Sequence, residues 1–288
     1  MTRLIDLRDG RRVAVEEWGA PSGSPVLLLH GTPGSRLGPV PRPLVLYQLG
    51  IRLITFDRPG YGRSDRMPGR RVADVAADVL EIADALGLER FGVLGRSGGG
   101  PHALACAALL PERTTRAAVL VGLAPSEADG LDWFADMTAS NVDAYQAVRD
   151  DGGEVMARLR PMADQIRANP AQLVTNLYDE LTQSDRRIVA DAGIRRQLIE
   201  NYAEAVRDSA DGWFDDLHAF ATSWGFEPGS IERPIMLWHG AEDTFSPVGH
   251  SRWLGEHIPS SFVIVERGSA HFGALNVMPD VLHWLAGS

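Results

Sequence analysis

Lysine is absent from this chain, and all 28 of its Lys-plus-Arg positions are arginine. That reads as coding bias more than mechanism. Acidic residues outnumber basic ones, 38 to 28, for a net charge of -10. A polyanion is therefore a poor partner, since nucleic-acid binders cluster Lys and Arg to neutralise phosphates. A single cysteine, Cys106, excludes an intramolecular disulfide and a thiolate metal cluster. No run of about 18 apolar residues occurs, as a membrane-spanning helix would need. The opening Met1-Thr2-Arg3-Leu4-Ile5-Asp6 shows no basic stretch followed by an apolar segment, so a cytoplasmic protein without membrane insertion is expected. Internal repeats, low-complexity segments and long disordered linkers are also missing.

What is present suits a folded globular chain. Hydrophobic residues make up 44% and charged residues 23% of 288 positions, enough apolar surface for a core that needs neither disulfide nor metal. Apolar runs at 26–30, 53–57, 91–95 and 117–121 alternate with helical patterns at 72–87 and 99–110. The same rhythm returns with runs at 235–239 and 262–265 and helices at 247–257 and 274–286. Such alternation is the signature of a parallel sheet covered by helices on both faces, an α/β class. Residues 3–18, with Asp9-Gly10 near the middle, read as an antiparallel hairpin at the sheet edge.

Between residues 124 and 232 the rhythm breaks into helical periodicity without a convincing strand. The expected division is a core of 1–123 and 233–288 and a helical cap of 124–232. The cap holds 21 acidic and 9 basic residues, a net of -12, against +2 for the core. A solvated set of helix faces accounts for this; an acidic rim that discourages anionic substrates is the sharper alternative.

Gly95-Arg96-Ser97-Gly98-Gly99 fits G-x-S-x-G between an apolar run and an alanine-rich helix. A sharp strand-to-helix turn strains the serine backbone and leaves space only for small neighbours. A serine hydroxyl needs a base and a third group that fixes the base's tautomer. Asp243, just past the run ending at His239, is the best acid, with the adjacent Glu242 as a rival. His271, in Gly268-Ser269-Ala270-His271-Phe272 after the last run, is the best base. Both fall where parallel sheets place their sites, at carboxyl ends of strands. The other histidines, His30, His102, His218, His239, His250, His257 and His283, lack the combination of strand-end loop and chain order. For an oxyanion, the N–H of Gly98 is the first donor expected and that of Thr32, in His30-Gly31-Thr32-Pro33-Gly34, the second. Removing one such donor costs roughly 3 kcal/mol in well-studied cases. Trp133, Phe134, Trp213, Phe214, Phe220 and Phe272 are candidate pocket residues, although aromatics at helical spacing also pack helices onto a core. Arg96 reads either as an ion-paired prop under the elbow or as a charge felt at the site.

Taken in order, His30-Gly31-Thr32-Pro33, the segment from Phe56 through Asp57-Arg58-Pro59-Gly60-Tyr61-Gly62-Arg63-Ser64, the elbow at Ser97, and the Asp243 and His271 loops resemble the α/β-hydrolase superfamily. The likeness is to its cap-bearing members with an H-G-x-P oxyanion loop. The resemblance implies an eight-stranded sheet, a helical cap between strands six and seven, no cofactor, and the triad Ser97, Asp243 and His271. It assigns the 57–64 segment to shaping a loop near the site. Relatives with Asp at the elbow attack alkyl carbon; Ser97 places this chain with acyl-transfer enzymes. Proline iminopeptidases typically carry Gly at the position of Thr32 and a tryptophan in the elbow where this chain has Arg96 and Gly98. The expected activity is hydrolysis of a carboxylic ester or lactone of a small to medium neutral substrate. Amide or carbon–carbon cleavage, perhydrolysis and a low-turnover binding protein remain as alternatives. The expected partner is a small molecule, with the chain a monomer or homodimer.

Overall fold

The protein is described here by a computed structural model covering residues 2–150 and 152–287. Residues 1, 151 and 288, which fall in the expected core and cap ranges, lie outside the described residues. The hairpin forms from β1 (Arg3–Asp6) and β2 (Arg12–Gly19), turning at Gly10 with φ +89°. Then follow β3 (Ser24–Leu29), α1 (Pro43–Gln48), β4 (Ile51–Phe56), α2 (Val75–Ala85), β5 (Phe91–Arg96), α3 (Gly99–Leu109) and β6 (Thr114–Leu120). Helices α4 (Ala139–Asp150), α5 (Gly152–Ala168), α6 (Ala171–Leu177), α7 (Gln183–Val189), α8 (Ala192–Ala205) and α9 (Asp211–Ala221) separate β6 from β7 (Ile235–Gly240). The chain closes with α10 (Gly249–His257), β8 (Ser261–Glu266) and α11 (Ala274–Ala286).

The eight strands form one sheet in the order β1-β2-β4-β3-β5-β6-β7-β8. β2 pairs antiparallel with β1 and β4, and every other pairing is parallel. Side chains alternate across a strand, so Leu27 and Leu29 join the core on one face while Val26 and Leu28 join the core on the other. The first core also takes Val79 and Ile82 of α2 and Leu104 of α3; the second takes Met278, Val281 and Leu282 of α11. Each such buried side chain contributes roughly 1.5–3 kcal/mol. Two details differ from the sequence pattern. The helix expected at 72–87 opens with a 3-10 turn, Val72–Asp74. Helix α1 was not legible, because its six residues leave Leu44 and Tyr47 in solvent and carry no apolar period. Among the described residues, no helix is long and apolar enough to cross a membrane.

For the site, the consequence of this topology is direct. β5, β6, β7 and β8 run parallel and side by side, so the loops leaving the carboxyl ends of β5, β7 and β8 open on one edge of the sheet. Those loops carry Ser97, Asp243 and His271.

Candidate active site

Ser97 follows β5 with φ +54°, a left-handed backbone that a non-glycine residue adopts only under constraint. The constraint is visible in its neighbours. A Cβ on Gly95 would lie 2.3 Å from the Gly99 carbonyl oxygen, and one on Gly99 would lie 2.1 Å from that of Leu29. Glycine is thus required on both sides for α3 to start this close to the sheet. The Ser97 N–H donates to Leu120 O at 2.8 Å, tying the turn to β6.

Behind it stands a hydrogen-bonded chain. His271 Nδ1 lies 2.8 Å from Asp243 Oδ2. Since the carboxylate only accepts, Nδ1 carries the proton and Nε2 is left free as a base. The other Asp243 oxygen accepts the N–H groups of Phe245, at 2.8 Å, and Ser246, at 3.1 Å. His239 Nε2 sits 3.4 Å from Asp243 Oδ2 and 2.5 Å from Ser246 O, so it donates on this side, while Ser251 Oγ lies 2.7 Å from its Nδ1. Burial raises the Asp243 carboxyl, but attraction to the positive form of His271 and hydrogen bonds from both histidines outweigh it and hold the group below the ordinary carboxylate range. Asp243 therefore stays ionised against His271. Glu242 faces elsewhere, accepting from Ser184 Oγ at 3.0 Å.

Thr32 meets the elbow directly: a Cβ on Gly98 would fall 2.3 Å from Thr32 Oγ1 and 3.2 Å from the Phe220 ring. The N–H groups of Thr32 and Gly98 find no hydrogen-bond acceptor among the described residues. The loop of Thr32 is anchored by buried charge. Thr32 Oγ1 donates to Asp216 Oδ2 of α9 at 2.5 Å, and the same carboxylate accepts from Arg58 at 2.5 Å, Arg70 at 2.6 Å and Tyr61 at 2.8 Å. Arg58 also donates to the carbonyl oxygens of His30 and Gly31. Burial would raise the Asp216 carboxyl, yet the two guanidinium charges hold it well below the usual range. His102 lies 3.5 Å from Asp216 in the core, and burial lowers it to about 4.

Ser97, His271, Thr32 and Gly98 line one cavity of about 360 Å³, walled by Tyr145, Leu159, Leu173, Tyr202, Trp213 and Leu217 from the helical segment and by Phe245 and Phe272. That size suits a small or medium ligand. Of the candidate pocket aromatics, Trp213 and Phe272 line it; Trp133, Phe134, Phe214 and Phe220 do not. Trp133 instead packs edge-on against Phe134, Tyr145 and His250. Phe214 lies beside His218, and Phe220 is buried beside His102 and Gly98. Tyr145, Tyr202 and the leucines gave no sequence signal beyond helical periodicity. The Arg96 side chain is buried but makes no ion pair or hydrogen bond among the described residues, so it is not the ion-paired prop that was one reading of the sequence. Its charge is felt instead by the Tyr202 hydroxyl in the cavity wall.

The family model described as alpha/beta hydrolase fold matches residues 24–276, and the chain belongs to this family of hydrolases. It is 27% identical over 251 residues to the non-heme haloperoxidase of Rhodococcus erythropolis, covering 86% of this chain and 84% of that one. It is 36% identical over 153 residues to the proline iminopeptidase of Xylella fastidiosa, covering 50% of this chain and 48% of that relative, about half its length. The crystal structure of bromoperoxidase from Bacillus anthracis has the same fold, with a TM-score of 0.71 at 21% identity and 99% of each chain covered.

Proposed function

We propose that the protein is a serine hydrolase that cleaves a carboxylic ester or lactone of a small to medium neutral substrate through an acyl-enzyme. The observation that carries this reading is one cavity holding both the constrained Ser97 and an imidazole whose free Nε2 is set by the Asp243 hydrogen bond. In this reading His271 takes the proton of Ser97 as the hydroxyl attacks the carbonyl. Backbone N–H groups of Thr32 and Gly98 receive the oxyanion, and Asp243 supports the imidazolium. His271 then protonates the leaving alcohol, and water repeats the steps to release the acid. The mostly apolar wall favours an uncharged acyl or alkyl group, and segment 124–232 serves as the cap over it.

The haloperoxidase relative supports a second reading of the same residues. Hydrogen peroxide would replace water in attacking the acyl-enzyme, releasing a peracid and restoring Ser97.

Fluorophosphonate labelling followed by intact mass spectrometry, with p-nitrophenyl butyrate turnover, tests the assignment. A single adduct is expected in the wild type, none in Ser97→Ala, and a greatly slowed one in His271→Ala. A wild type that neither labels nor turns over ester defeats it. Proline p-nitroanilide, a dienone and ester with peroxide then separate amide, carbon–carbon and perhydrolase chemistry.

A further inference from the structure

A second buried carboxylate stands behind the histidine. Asp185 of α7 is 1% exposed, and its Oδ1 accepts the backbone N–H of Phe272, the residue after His271, at 2.7 Å. Its Oδ2 is buried and has no hydrogen-bond partner among the described residues. One residue earlier, Ser184 Oγ donates to Glu242, the neighbour of Asp243. The first turn of α7 thus grips the loops of both the acid and the base. The grip itself needs only a neutral acceptor for the Phe272 N–H. An ionised carboxylate with an orphan oxygen adds a desolvation cost that packing does not repay. Its charge is favoured by the positive form of His271 and by the backbone N–H groups of Phe272 and His271, and opposed by the charge of Asp243. Arg186 of the same helix is engaged by the carbonyl and ring of Tyr178, and Arg187 is exposed.

Resting on the function proposed above, we propose that Asp185 is a positioning residue for the reaction: it holds the His271 loop on α7 and supplies a second negative charge that favours the imidazolium. The imidazolium exists in the transition states of acylation and deacylation but not in the resting enzyme. The charge therefore acts on turnover more than on binding. Burial raises the Asp185 carboxyl to about 6 against the pull of His271, so it is ionised at neutral pH and neutral in mild acid. A charge retained at such cost produces a trade of stability for activity.

The test compares wild type, Asp185→Asn and Ser184→Ala by ester kinetics from pH 5 to 9, thermal melting at pH 8 and fluorophosphonate labelling. Asp185→Asn keeps the acceptor and removes the charge. It is expected to lower kcat at pH 8 roughly ten- to thirtyfold with KM little changed, and to melt no lower than wild type. Ser184→Ala, which removes an exposed hydrogen bond to Glu242 and leaves the Asp185 charge in place, is expected to stay within about threefold of wild type. Activity of Asp185→Asn equal to wild type, or a loss that tracks a fallen melting temperature, overturns the proposal while leaving the nucleophile assignment standing. A wild type without label or turnover overturns both.

Discussion

The residues nearest the chemistry divide by how local their reasons are. Ser97, Asp243 and His271 were legible because each follows a strong apolar run, and because a strained elbow demands the glycines that flank it. Asp216 was not legible. Nothing in Asp211-Gly212-Trp213-Phe214-Asp215-Asp216 distinguishes one carboxylate of three, and only tertiary contact shows which is sealed between Arg58 and Arg70. Breaking a buried pair from one side costs about 3 to 5 kcal/mol, so Asp216→Asn is expected to show that loss in urea unfolding. It should also lower ester turnover, since the loop of Thr32 loses the negative charge that anchors it together with Arg58. An unchanged unfolding midpoint would refute the network's weight. Gly98→Ala tests the elbow more narrowly. Its Cβ has no room beside Thr32, so kcat is expected to fall about a hundredfold, the scale of a lost oxyanion donor, while the melting temperature holds within a few degrees.

At the scale of elements, the alternation of apolar runs and helices marked the sheet because its inner strands, buried on both faces, must be apolar throughout, while the apolar run of edge strand β8 stands exposed. The helices between β6 and β7 were visible as helices, but their contacts were not, because amphipathic periodicity names a buried face without naming what covers it. The structure shows those faces lining the cavity, with Leu159 of α5 and Leu173 of α6 in its wall. Leu173→Trp is accordingly expected to shorten the usable acyl chain, cutting kcat/KM for p-nitrophenyl octanoate at least about tenfold relative to the acetate, the scale of a few excluded methylenes. Equal losses on both esters would place Leu173 outside the acyl site.

For the whole molecule, buried titratable groups set the response to acid. Burial lowers His30 well below its ordinary value, His102 to about 4 and His250 to about 3. The unfolded chain takes up protons at these positions near pH 6.5, which the native state refuses. The stability contributed by the neutral imidazoles is thus present above that pH and lost as pH falls toward the native values. Asp57 and Asp185 act in the opposite sense. Burial raises both to about 6, so the native state takes up their protons first and regains stability below pH 6. The histidine shifts are larger and begin at higher pH. Calorimetry is therefore expected to show the thermal midpoint falling between pH 7 and pH 4.5; a rising midpoint would mean these histidines are not held neutral.

The sequence by itself determined what short-range rules govern: the α/β alternation, the hairpin, the elbow, and the order in which Ser97, Asp243 and His271 follow their strands. Those features depend on residues within a few positions of one another. Only the tertiary structure decided which helix face meets which loop, and so which of many acidic residues stand behind the loops of Thr32 and His271. Burial and pairing of Asp185 and Asp216 depend on groups separated by 87 and 184 positions along the chain, a distance over which local pattern carries no information.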